Sequence, residues 1–245
     1  MRLLCQEYGV DVNSSTTKTP RQEATASITS SQSTAENSRT EVATDDDANV
    51  TVGAHTEGVM PIHMAAHEGH TEAVKLLIDH KADVNVRCTD DGCTPQFAGS
   101  WNGHTEVVKL LLESKAAVDA GRHRDGATPL YAAASNGHAD VVKLLLENKA
   151  NVNSKRHEDG TTPLYIASSG GYIDVVKLLI GNRADVNAAR QTDGFTPLFS
   201  SSLEGHVEVV RLLLANDADV NASSYIDGAT PLYAASLGGH ADVVK

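Results

Sequence analysis

The phrase Asp-Gly-x-Thr-Pro recurs along this chain at a constant interval of 34 residues. Its copies begin at Asp91, Asp125, Asp159, Asp193 and Asp227, and a degenerate copy begins at Gly58. Self-similarity at this period is typical of a linear stack of small units, each of which buries its apolar face against its neighbours. Such a stack offers a long surface and no enclosed pocket, which favours a binding protein over an enzyme.

Each unit predicts two helices. In the unit that begins at Asp125, Thr128 can cap free amides, and Pro129 fits the first helical position because it needs no donor there. The first helix is therefore expected over residues 129–136, and Gly137 suits the left-handed conformation that ends a helix. A second helix begins near Ala139. Helical spacing places these residues on its buried face: Val141, Val142, Leu144 and Leu145.

The phrases TPLY, GHADVVKLLL and ANVN follow one another in each unit, and this order resembles the ankyrin repeat over residues 58–245. The resemblance implies an all-α fold, an α-solenoid of stacked helix–turn–helix units with projecting turns or β-hairpin loops. The units are expected at residues 58–90, 91–124, 125–158, 159–192, 193–226 and, truncated, 227–245. The second unit departs most from the pattern, with Gln96 and Gly99 in place of Leu and Ala, so we expect it to be locally less stable.

The first 57 residues differ from the array. Residues 1–13 resemble the second half of a unit, and residues 14–57 form a Ser-, Thr- and acid-rich stretch with few large aliphatic side chains. Because that stretch cannot bury enough apolar surface, we expect it to be disordered. It is either an insertion or linker within the first loop or a product of a gene-model or fragment error.

The formal net charge of −12 argues against general binding to nucleic acid or anionic membranes, because phosphates would be repelled. No apolar run is long enough to span a membrane. The cysteine count is odd, with no CxxC pair, which indicates a reducing compartment. We therefore expect a monomeric cytoplasmic protein, with the nucleus left open.

Histidine clusters and paired carboxylates both suggest chemistry at first sight. His63, His67 and His70 have spacings that suggest zinc, but the residue at the position of His70 is His again in most later units. The repeat explains such a residue, and the resemblance implies that it makes hydrogen bonds between loops. Acidic residues at helix starts recur in the same way and meet the helix dipole. The sequence predicts no catalytic residue, no metal site and no cofactor.

The resemblance implies that binding occurs on the concave face, formed by the first helices and the loop tips. The ends of the first helices differ between units and carry candidate partner-binding residues: Trp101, Asn102, Asn136, Leu203 and Glu204. Trp101 is the only tryptophan, and aromatic side chains dominate interface hot spots, so it is the candidate anchor. The alternative is that its ring fills space beside Gly99.

The loops carry a basic stripe on an acidic chain. Its candidate binding residues are Arg122, His123, Arg124, Arg156, His157, Arg190 and, with an aromatic side chain, Tyr225. We hypothesise that the stripe receives an acidic or phosphorylated segment through charge-assisted hydrogen bonds. The alternative is that these side chains only keep exposed loops soluble.

The resemblance also implies a modification, because ankyrin repeats of this kind can be substrates of an asparaginyl hydroxylase. The candidate positions lie in the Val-Asn phrase: Asn85, Asn153, Asn187 and Asn221. The function that the sequence predicts is protein–protein interaction, by a scaffold or adaptor without chemistry of its own. The alternative is the targeting or regulatory region of a larger protein, such as a kinase, a ubiquitin-ligase adaptor or a channel.

Overall fold

The computed structural model describes residues 59–89 and 91–245. The expectations for residues 1–13 and 14–57 lie outside these described residues. The described part belongs to one compact unit of the chain, which extends to Lys245. None of its helices is long and apolar enough to cross a membrane.

The described residues form twelve α-helices and no β-strand, which confirms the all-α prediction. The helices that open each repeat are α1 (Pro61–His67), α3 (Pro95–Trp101), α5 (Pro129–Ser135), α7 (Pro163–Ser169), α9 (Pro197–Leu203) and α11 (Pro231–Leu237). The second helices are α2 (Thr71–Asp79), α4 (Thr105–Glu113), α6 (Ala139–Glu147), α8 (Ile173–Gly181), α10 (Val207–Leu214) and α12 (Ala241–Val244).

The opening helices start as the Thr-Pro dipeptide predicts. Thr128 lies in extended conformation before α5, and its hydroxyl accepts a hydrogen bond of 3.2 Å from the amide of Tyr131. The Thr residues before α3, α7, α9 and α11 make the same bond. This cap satisfies an amide that the helix itself leaves without an acceptor. Before α1, where Met60 replaces Thr, the amide of Met60 instead donates to Nδ1 of His63.

The helices form two layers, because each opening helix packs on the next opening helix and each second helix on the next second helix. Val141, Val142 and Leu145 of α6 are fully buried between neighbouring repeats, as the helical spacing predicts. Leu144 was also expected to be buried, but its side chain is only half-buried, and Leu146 is buried instead. The reason is that α6 packs on both α4 and α8, so the buried face is wider and turned toward Leu146.

The loops between repeats are tight turns. In one of them the amide of Arg122 donates to the Ala127 carbonyl and the amide of Gly126 to the Arg122 carbonyl. The amide of His123 then donates to the Asp91 carbonyl of the preceding loop at 2.8 Å. Successive loops are thus linked along the stack by backbone hydrogen bonds, although no strand ladder forms among the described residues. Of the two loop structures expected, the turn is the one observed.

The second repeat contains an unusual buried polar group. Gln96 is almost completely buried on α3, and neither its amide nitrogen nor its amide oxygen has a hydrogen-bond partner among the described residues. Burying an unpaired amide is unfavourable because it loses its bonds to water. This is a physical reason for the expected lower stability of that repeat, which stays a prediction.

Candidate interaction surface

Three loop arginines are turned into the protein and paired. Arg122 donates from Nε and Nη2 to the two carboxylate oxygens of Asp125, at 3.2 and 2.5 Å, and both side chains are buried. Arg156 binds Asp159 in the same bidentate way, at 3.1 and 2.7 Å. Arg190 also binds Asp193 through two bonds. These Arg–Asp pairs connect residues three apart and close the loops from inside, so the three guanidiniums are committed to the fold.

Each paired arginine also covers an aromatic ring of the opening helix of its own repeat. The guanidinium carbon of Arg122 lies 4.8 Å from the centroid of Phe97. Arg156 lies 5.8 Å from the centroid of Tyr131, and Arg190 lies 5.3 Å from that of Tyr165. A cation over an aromatic face is favourable, most of all where water is excluded. These contacts give the Phe or Tyr at this position of those repeats a structural role.

His63 occupies the equivalent position of the first repeat and makes different bonds. Its Nε2 lies 3.1 Å from the carbonyl of Val86 and 3.0 Å from the carbonyl of Cys93, in the following loop. Burial is the main influence on this ring and lowers its pKa, although the carbonyl contacts oppose the shift. His63 therefore joins two repeats as a buried structural group, in place of the aromatic–arginine contact.

Two of the Arg–Asp pairs also lower the pKa of their carboxyl groups. Burial raises the pKa of Asp159, but hydrogen bonds from Arg156 and Thr161 outweigh it, so the pKa falls below its ordinary value. The pKa of Asp193 is lowered against burial by Arg190 and the Phe195 amide. A carboxylate with a lowered pKa in the folded state stabilises the fold at neutral pH, and that contribution is lost as the pH falls through the lowered pKa.

The loop tips are exposed and also hold neighbouring loops together. The imidazole of His123 lies against Gly92, that of His157 against Gly126, and the ring of Tyr225 against Gly194. A side chain on any of these glycines would collide with that ring, which explains the recurring Asp-Gly phrase. His123, His157 and Tyr225 nevertheless stay accessible, as does Arg124.

A groove of about 540 Å³ lies between two adjacent loops. It brings together Arg122, His123 and His157 among the predicted binding residues. The other predicted residues do not line it. Besides those three, its walls include Asp119, Asn151 and Lys155. Lys155 and the two imidazoles are exposed at the rim, whereas Arg122 lies beneath, so the groove offers hydrogen-bond donors above a buried ion pair.

The ends of the opening helices form a second exposed region. Trp101 is half-buried, and its ring stacks on Phe97 with centroids 6.3 Å apart. The atoms nearest to a Cβ added at Gly99 belong to Val107, Val108 and Ala66. Asn102 and Asn136 are the C-cap residues of α3 and α5. Their side-chain amides donate to the carbonyls of Ala98 and Ala132. On α9, Leu203 is half-buried and Glu204 is exposed.

The recurring Gly-His phrase is a contact between repeats. Nε2 of His138 lies 3.0 Å from the Trp101 carbonyl of the preceding repeat. His104, His206 and His240 make the same contact to the repeat before them. The ring also lies over the glycine of the preceding Gly-His phrase, Gly103 in the case of His138. These four histidines thus make hydrogen bonds between neighbouring repeats.

The ankyrin-repeat family model, described as ankyrin repeats in three copies, matches residues 33–122, 116–190 and 188–245. The chain belongs to the ankyrin-repeat family. The match starts within residues 14–57, in a part that the structure does not describe. A comparison with curated proteins finds no match to this chain.

The Val-Asn phrase of the ankyrin repeats also connects neighbours. The side-chain oxygen of Asn85 accepts from the amide of Ala117 at 2.7 Å. Asn153 and Asn187 accept from the equivalent amides of Asp185 and Asp219. Asn85, Asn153, Asn187 and Asn221 are all exposed. The candidate hydroxylation positions therefore lie on the surface, three of them at a junction between two repeats.

Proposed function

We propose that this ankyrin-repeat protein binds another protein by receiving an acidic or phosphorylated segment in the groove between its loops. Ankyrin repeats are generally protein–protein interaction modules and are typically not enzymes. The observation that carries the proposal is the placement of His123, Lys155 and His157 around one groove. Among these residues, Lys155 supplies a permanent charge and the imidazoles supply hydrogen-bond donors.

The charges around the groove restrict where the acidic group of such a segment can bind. Arg122 already shares its donors with Asp125, so the attraction for an anion at the rim rests on Lys155. Asp119 lines the same groove and repels an anion near it. The acidic group of the partner is therefore best placed on the Lys155 side, with charge-assisted hydrogen bonds from His157. The preformed loops limit the entropy lost on binding.

The neighbouring surface offers room for the rest of the partner. Arg124 lies in one of the two loops that form the groove, Arg190 and Tyr225 lie in later loops, and Trp101 lies at the end of α3. We propose that an apolar residue of the partner contacts Trp101, because a half-buried ring that is already stacked loses little freedom on binding.

Reversing one charge tests the groove. We expect Lys155→Glu to weaken binding of a phosphoserine-containing acidic peptide about tenfold, because a repulsive charge replaces an attractive one at the site. Fluorescence anisotropy at two salt concentrations measures the affinity, and higher salt should reduce the difference between the variants.

The matched control is Lys143→Glu, which makes the same charge change at an exposed position of α6. Its affinity should equal that of the unchanged protein, because Lys143 is outside the groove. Equal weakening by both variants would show a general charge effect and exclude the groove as the site. Binding of an uncharged peptide of the same length with equal affinity would exclude acidic recognition.

We also propose hydroxylation at Asn85, Asn153, Asn187 and Asn221. Their exposure supports access by a modifying enzyme, although three of them must first release an amide of the next repeat. Peptide mass spectrometry of protein from its native host should show the addition of one oxygen atom on these residues. Unmodified asparagine at all four positions would contradict the proposal.

A further inference from the structure

One loop departs from the Arg–Asp pattern. Cys88 occupies the position that Arg122 holds in the next loop, and Cys93 occupies the position of Ala127. Asp91 is retained, but it accepts from the thiol of Cys88 at 2.8 Å instead of from an arginine of its own loop. The described loops between later repeats have no such pair of thiols.

The two cysteines face each other across the turn. The amide of Cys88 donates to the Cys93 carbonyl at 2.9 Å, and the amide of Cys93 donates to Cys88 Sγ at 3.2 Å. The two sulfur atoms and an oxygen of Asp91 all lie within 4.8 Å of one another. A backbone hydrogen bond between opposed residues brings their Cα atoms into the range that a disulfide spans.

The environment gives the two thiols different chemistry. A hydrogen bond with Cys93 lowers the pKa of Cys88 to about 7, against the opposing effects of burial and Asp91. The same hydrogen bond and burial raise the pKa of Cys93. Among the described residues, the other ionisable groups at this turn include Asp91, Arg122, His63, Arg87 and His123. The Cys93 amide that donates to Sγ of Cys88 stabilises a thiolate there, so Cys88 is the nucleophile and Cys93 is the adjacent resolving thiol.

We propose that Cys88 and Cys93 are a redox modification site, at which a hydroperoxide converts the open loop into one closed by a disulfide. The Cys88 thiolate attacks the terminal oxygen of the hydroperoxide, so that an S–O bond forms and the O–O bond breaks. The departing alkoxide takes a proton and leaves as the alcohol. The Cys93 sulfur gives up its proton and attacks the Cys88 sulfur, the S–O bond breaks, and water leaves. The two thiols together lose two electrons, which reduce the hydroperoxide.

The disulfide supplies the closure that Arg–Asp pairs supply in other loops. It holds Cys88 and Cys93 together where the next loop has Arg122 bound to Asp125. A cross-link stabilises a fold mainly by restricting the unfolded chain, and the gain is smallest for short loops. The oxidised protein should therefore melt a few degrees above the reduced protein.

The test uses the full chain with Cys5→Ser, because Cys5 lies outside the described residues and would add a third thiol. After treatment with hydrogen peroxide, the peptide that contains both cysteines should lose two hydrogen atoms in mass. Dithiothreitol should restore the mass and the lower melting temperature. In the Cys93→Ser variant, a sulfenic acid at Cys88 should persist and react with a sulfenic-acid-specific probe.

The matched control is Cys88→Arg with Cys93→Ala, which introduces the residues of the next loop and keeps Asp91. This variant should gain the Arg–Asp pair, and its melting temperature should not respond to peroxide or to dithiothreitol. Peroxide that only adds oxygen to the cysteines, without a disulfide, would overturn the proposal. Zinc retained in equimolar amount by the purified protein, protecting both thiols from peroxide, would also overturn it by making the cluster a metal site.

Discussion

Replacing Arg122 with methionine is expected to lower the free energy of unfolding by about 3 kcal/mol, because it leaves the buried carboxylate of Asp125 without its partner. The contact of the guanidinium with Phe97 is lost as well. Methionine keeps most of the side-chain volume, so the effect reports the pair rather than a cavity. Urea unfolding followed by circular dichroism measures it.

Arg190→Met is the matched control, because the Arg190 side chain is 28% exposed against 5% for Arg122, so its removal opens a path for water to the Asp193 carboxylate, which is itself 11% exposed. Its effect should be clearly smaller than that of Arg122→Met. Equal, small losses for both variants would mean that the buried pair contributes little to stability. A loss of partner binding in Arg122→Met would first have to be separated from this loss of folding.

Gly103→Ala is expected to destabilise the protein by about 2 kcal/mol, because two costs add at this position. The residue has φ of +76°, where an L side chain is strained, and the new Cβ would lie 2.6 Å from the His138 ring. Moving that ring breaks its hydrogen bond to the Trp101 carbonyl, which joins two repeats. Thermal unfolding monitored by circular dichroism gives the change.

Gly181→Ala makes the same chemical change at a place where neither cost applies. Gly181 is the last residue of α8, and nothing lies within 4 Å of an added Cβ. Because alanine favours the helix, this variant should be stabilised by about 0.5 kcal/mol. Destabilisation by Gly181→Ala, of the size seen at Gly103, would contradict this account of both glycines.

Features that depend on neighbouring residues in the chain were predicted well. Thr128 and Pro129 begin α5, and Gly137 follows its end with φ of +73°. These residues act through a local hydrogen bond, a fixed ring and an absent Cβ, and none of these needs a distant partner. The 34-residue interval likewise predicted the stack, because a unit that cannot bury its apolar face alone must repeat.

The roles of the charged side chains in the loops were harder to predict. Arg122, Arg156 and Arg190 were expected to form a basic stripe for a partner, but the structure pairs each with an aspartate three residues later. The repeated Arg-x-x-Asp spacing is the signal that points to these pairs. Spacing alone still does not show burial, since a loop residue of the same spacing can equally point to water.

The sequence by itself determined the repeat, the helix starts and the turns, since each depends on backbone preferences and on contacts a few residues apart. Only the tertiary structure decided which polar side chains are exposed and free to contact a partner, and which are buried within the fold. Arg122 is buried where it binds Asp125 and covers the ring of Phe97, whereas His123, beside it in sequence, is exposed at the rim of the groove. Such a difference arises from contacts with residues distant in the sequence, since the Arg122 side chain lies against Phe97 and Asp91.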